Sequence, residues 1–109
     1  MALQPGLNSS LTGLSVGDNN ISHIGCARLA ESLEKRKRLR SLSLRDNKTL
    51  GDDGAEALSL VLEANDKLAV LDLCNTGLTF KGFKELVEVL SEPGRVCALN
   101  VSRNRLASR

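Results

Sequence analysis

A repeat of 28 to 29 residues constrains this chain more than any other feature. Four blocks open at Leu11, Leu39, Leu68 and Val96. Each begins with the pattern L-x-x-L-x-L: Leu11/Leu14/Val16, Leu39/Leu42/Leu44, Leu68/Leu71/Leu73 and Val96/Leu99/Val101. Its last apolar positions alternate with polar or small residues, which is the period of a strand. Three residues on stand Asn19, Asn47, Thr76 and Asn104, followed by Ile21, Leu50, Leu78 and Leu106. Gly25, Gly54 and Gly82 come next. The pairs Leu29/Leu33, Leu58/Leu62 and Leu86/Leu90 then fall at i, i+4, which puts them on one helix face. Each full block is therefore expected to form strand, turn and helix. The second block carries one extra residue between Asn47 and Leu50, which a loop absorbs without disturbing the stack.

One strand–helix unit cannot bury its own apolar stripe, so neighbours must stack and share a core. Composition supports this: 21 of 109 residues are leucine, and the only aromatics are Phe80 and Phe83. Phe83 is expected to pack inward and Phe80 to lie on the outer helical side.

The registered blocks resemble the leucine-rich repeats, specifically the long, ribonuclease-inhibitor-like type with a helix in each repeat. The resemblance spans Leu11 to Leu106. It implies an α/β solenoid with a parallel sheet on the concave face and helices on the convex face. The units would be 11–38, 39–67, 68–95 and a half repeat 96–109, with 1–10 as an extension or partial cap. The resemblance also implies that Asn19, Asn47 and Asn104 form a ladder, each amide serving backbone groups that the bend strips of sheet partners. Thr76 interrupts that ladder and should give a looser or wetter third turn.

Recognition by the concave face, inside a larger solenoid, sensor or regulator, is the function such repeats imply. The outward positions singled out there are Asp18, Ser43, Arg45, Asp46, Asp72, Cys74, Asn100 and Arg103. Arg45 and Arg103 are the best anchors in a face without Trp or Tyr. A second surface is the basic run Lys35, Arg36, Lys37, Arg38 and Arg40, which suits a helix C-terminus and alternatively a polyanion or the import machinery. A third reading is a scaffold component that self-associates or assembles through uncapped ends, since the last half repeat leaves Leu99 and Val101 thinly covered.

Catalysis is disfavoured by the inventory. The single His23 falls on the turn before the first helix, with no nucleophile set beside it by the repeat. Asp52 and Asp53 read as helix-start electrostatics, and no cofactor or metal is expected. Net charge is only +2, so nucleic acid is not the expected partner, and no apolar run is long enough to span a membrane. Lys84 and Glu88 are expected to pair along the third helix, which Pro93 and Gly94 stop. Three widely spaced cysteines, Cys26, Cys74 and Cys97, do not make a disulfide framework. They fit free thiols in the cytoplasm, with the nucleus as the alternative. On that reading the sequons at Asn8, Asn20, Asn47 and Asn100 carry no glycan, and a buried Asn47 could not take one.

Overall fold

The computed structural model describes residues 13–17, 21–33, 39–65, 67–93, 95 and 97–107. The chain runs β1 (Gly13–Ser15), α1 (His23–Leu33), β2 (Ser41–Ser43), α2 (Gly51–Ala64), β3 (Val70–Asp72), α3 (Phe80–Leu90) and β4 (Ala98–Asn100). The four strands form one parallel sheet in the order β1-β2-β3-β4. Leu14, Leu42, Leu71 and Leu99 stand side by side in its central register. The extra residue in the second block leaves that register intact, as expected.

The alternation works as a sheet with one buried face. The central leucines turn inward, and their neighbours Ser41, Ser43 and Asp72 stay partly open. The backbone ladder continues past the short strands: Leu44 N–H donates to Asp72 O (2.9 Å), Leu73 N–H to Asn100 O (2.8 Å) and Asp46 N–H to Cys74 O (2.9 Å). The helices lay Leu33, Leu58, Leu62 and Leu86 onto the other side of the leucine layer, all buried. Cys26 and Ala55 complete this aliphatic core. Phe83 is half-buried and Phe80 is exposed, with ring centroids 6.5 Å apart.

Asn47 is fully buried, and its side chain works as the ladder requires. Its amide donates to the carbonyls of Val16 (3.1 Å), Leu44 (2.8 Å) and Arg45 (3.4 Å), while its oxygen accepts from Ile21 N–H (2.8 Å). Asn104 repeats the arrangement one gap on. It donates to Leu73 O and Val101 O and accepts from Thr76 N–H and Leu78 N–H. Asn19 lies outside the described residues.

The third turn is not loose. Thr76 is fully buried and its hydroxyl donates to Leu73 O at 2.8 Å. The inserted residue explains how the turn tolerates threonine. At the equivalent positions, Ile21 N–H and Leu78 N–H reach the next unit's asparagine oxygen. In the longer second turn, Leu50 N–H instead folds back to Asn47 O (3.0 Å), and Gly51 N–H donates to the backbone carbonyl of Thr76 (2.8 Å). The insertion and the missing asparagine are two halves of one local solution. Gly77, at φ +78°, lets the turns close: a Cβ there would stand 2.5 Å from Lys48 O.

Asp52 does not serve the start of its own helix alone. Its carboxylate crosses to the next unit, accepting from Thr79 N–H (2.8 Å), the Thr79 hydroxyl and Gly82 N–H (3.2 Å). Thr79 is the N-cap of α3 and accepts from Lys81 N–H (3.3 Å). Two successive repeats therefore share one cap. A Cβ on Gly82 would clash with the Asp52 carboxylate, which accounts for glycine at position 82. Asp52→Ala is expected to lower unfolding free energy by about 1–2 kcal/mol in urea titration, the range of a lost cap. A loss below about 0.3 kcal/mol would show that the inter-repeat cap carries no stability.

Two smaller expectations need correction. Lys84 and Glu88 form no ion pair; those among the described residues join Arg45 to Asp46 and Asp72. Solvent removes most of the gain from such exposed pairs, so nothing holds the two side chains together. His23 is the first residue of α1 rather than part of the preceding turn. The third helix ends at Leu90, three residues before Pro93, with Ser91 as its C-cap.

Candidate functional site

The open face of the sheet places three of the expected recognition residues together. Asp72, at the end of β3, is the hub. One carboxylate oxygen accepts from the Ser43 hydroxyl (3.3 Å) and from Arg45 Nη1 (3.4 Å), and the other from Cys74 N–H (3.1 Å). Arg45 also lies 3.7 Å from Asp46 through Nε. Its side chain is half exposed, so the guanidinium is oriented by its neighbours and still reaches solvent. Beside this group lies a shallow depression of about 390 Å³ over β1 to β3, floored by Leu14 and Leu42 and edged by Ser43, Asp72 and Val70. Val70, 46% exposed, gives the face its one large apolar contact among the described residues.

Cys74 does not belong to the presented surface. It is only 3% exposed. Its side chain sits between two neighbours in the same row: Arg45 Nη2 lies 3.7 Å from its sulfur, and the Ser102 hydroxyl oxygen lies 3.3 Å from it. Asn100 is exposed on β4, where its oxygen accepts from the Ser102 hydroxyl (2.8 Å) and Ser102 N–H (3.0 Å).

Asp46 and Arg103 stand at the rim, where the chain leaves the sheet. With Asn75 they form a row of left-handed residues at φ +64°, +56° and +57°. Asp and Asn adopt that region more readily than most residues, and Asn75 Nδ2 donates to the Asp46 carboxylate at 3.0 Å. Arg103 lines a different cleft from the sheet depression. Asp18 lies outside the described residues.

Lys35, Arg36, Lys37 and Arg38 likewise lie outside the described residues. Arg40 is exposed, and its guanidinium donates to Lys67 O at 3.3 Å, so this member of the run is partly engaged within the fold. A cation that the sequence reading passed over, Arg95, donates to Asn65 O (2.9 Å) at the C-cap of α2, where positive charge is favourable.

The cysteines are unpaired, two buried and Cys97 half-buried. Burial pushes the Cys26 thiol up to about 11. Burial also raises Cys97, with nearby Arg95 opposing. Neither is primed as a thiolate nucleophile at neutral pH. Among the described residues, no group of three His, Cys, Asp or Glu side chains is placed to hold a metal, and no helix is long and apolar enough to cross a membrane.

Comparison with known proteins agrees with this geometry. A leucine rich repeat family model matches residues 38–59. The centrosomal protein of 78 kDa from Mus musculus is 37% identical over 68 residues, covering 62% of this chain and 9% of that protein. Among solved structures, the leiomodin-1 actin-binding site 2 domain superposes with a TM-score of 0.78 at 21% identity, over 93% of this chain and 60% of that one. The tropomodulin C-terminal domain of Caenorhabditis elegans gives 0.67 at 20% identity, over 75% and 49%. The chain thus spans only part of each protein it matches. With its strands in parallel register, its amide ladder and these likenesses, the chain has a leucine-rich repeat fold.

Proposed function

We propose that the chain is a non-catalytic protein-interaction module that meets its partner through the open face of the sheet. The observation that carries this reading is the Ser43–Arg45–Asp72 group beside exposed Val70. Its polar members are held by mutual hydrogen bonds, so little side-chain freedom is lost on contact, and pre-organisation of this kind favours affinity. Arg is also among the residues most often found at the energetic centre of interfaces. The likeness to a centrosomal protein supports a partner within a large protein assembly. The buried free thiols support a reducing compartment, the cytoplasm or the nucleus.

The reading is tested by charge reversal on the two faces. Arg45→Glu is expected to weaken capture of the chain's partner by about tenfold or more, the effect of losing an interfacial hot spot. Glu56→Lys, on the exposed side of α2, should leave capture within about twofold, as rim or remote charges do. Equal losses from both variants, or a loss from Glu56→Lys alone, would move the interface off the sheet.

A further inference from the structure

A second surface lies on the rim, at the turns that follow the strands. Lys48 from the second turn, and Arg103 and Arg105 from the fourth, line one cleft of about 360 Å³, with Asn75 and Thr79 between them. All three cations are exposed. None takes part in an ion pair among the described residues. The acids that touch cleft-lining residues are already engaged: Asp46 by Asn75 and Arg45, and Asp52 by Thr79 and Gly82.

The backbone fixes where these cations stand. Arg105 bridges Thr79 in parallel, and its N–H donates to Leu78 O at 2.9 Å. Arg103 is held left-handed at φ +57°, a region that most side chains avoid. Glycine at position 77 brings the third turn against Lys48 O, where any Cβ would clash. The cleft is therefore a consequence of how consecutive repeats stack. Three neighbouring turns, like the strands they follow, span about 10 Å.

The geometry points to this cleft as the docking site for an acidic, extended stretch of a protein partner. In an extended chain, alternate side chains leave on the same side about 7 Å apart. Two carboxylates of such a stretch would span the cleft and meet cations on both walls. Asn75 and Thr79 carry polar groups between those walls. A nucleic acid fits less well, because no aromatic ring lines the cleft to stack a base. This inference rests on the protein-interaction reading and names the chemistry of one partner segment.

The test is fluorescence anisotropy with a labelled peptide of six consecutive glutamates flanked by Gly-Ser, against the same peptide with glutamines. The chain should bind the glutamate peptide selectively, and more weakly at 200 than at 50 mM NaCl. The double variant Arg103→Asn/Arg105→Gln should weaken binding at least about tenfold, as loss of charge-assisted contacts does. Asn at 103 removes the charge while suiting the left-handed backbone. Lys48→Gln, on the opposite wall, should weaken binding with no change to the fourth turn. Lys84→Gln on α3 should stay within about twofold, as charges away from the contact do. Thermal melting checks that each variant is folded. Equal binding of both peptides, or an equal loss from Lys84→Gln, would overturn the assignment. Tighter binding of a single-stranded oligonucleotide, abolished by the same rim variants, would replace it with a nucleic-acid site. Loss with Arg45→Ala alone would return recognition to the sheet.

Discussion

Asn47→Ala lowers the unfolding free energy by about 3 kcal/mol or more, since each buried group left without a partner costs about 1–3 kcal/mol. The substitution strands the carbonyls of Val16, Leu44 and Arg45 and the N–H of Ile21, which all bond to one fully buried amide. Water cannot replace it where the side chain is closed off. Thr76→Val, one turn on, removes a single hydroxyl bond to Leu73 O. It should cost only about 1 kcal/mol, because the inserted residue has already rerouted Leu50 N–H. Guanidinium titration of the two variants measures the difference. A smaller loss for Asn47→Ala than for Thr76→Val would refute the ladder as the main polar tie between repeats.

Leu71→Ala is the second large effect, expected at about 3 kcal/mol from lost transfer energy and the cavity left behind. For a domain of this size that lowers the melting temperature by roughly 12–24 °C. Leu71 is fully buried on the central strand β3, in register with Leu42 on one side and Leu99 on the other. Its loss opens the shared core of three units at once. Leu60→Ala is the matched control: the same deletion at a site 57% exposed on α2 should fall within about 0.5 kcal/mol. Calorimetry separates the two, and similar melting temperatures would show that the leucine layer is not continuous.

The leucines made the architecture readable from sequence, because strand and helix periods alternate within each unit and most inward positions hold leucine. The ladder was readable for the same reason. The failures lie where one repeat leans on the next. Thr76 looks like a defect until Leu50 N–H is seen returning to Asn47 O. Asp52 looks like a local helix-start charge until its carboxylate is found capping α3, some 27 residues away in sequence. Cys74 occupies an outward position in the repeat, yet Arg45 and Ser102 pack against it and leave it buried, which depends on its neighbours in the sheet rather than on pattern. Lys48 and Arg105 were missed, and Arg103 was placed on the sheet face, for a related reason. Lys48, Arg103 and Arg105 are scattered in sequence, and only stacking brings them to one cleft, whereas the contiguous run from Lys35 draws the eye.

The same stacking explains how the proposed module would act. Helices on one side hold the leucine layer, and the layer holds the strands in register. Residues that cross between repeats, Asn47, Asp52 and Arg95, tie the units together. The Ser43–Arg45–Asp72 group thus sits on a surface with little freedom to rearrange, so the recognition we propose depends on complementarity to a fixed face.

That claim is tested most directly by site-specific photo-cross-linking from two apolar positions of similar exposure on opposite faces. A photoreactive phenylalanine analogue replaces Val70 on the sheet or Leu60 on α2, which are 46% and 57% exposed. A discrete adduct is expected from position 70, lost on Arg45→Glu, and none above background from position 60. An adduct from position 60 alone, or adducts of equal yield that ignore Arg45→Glu, would contradict it.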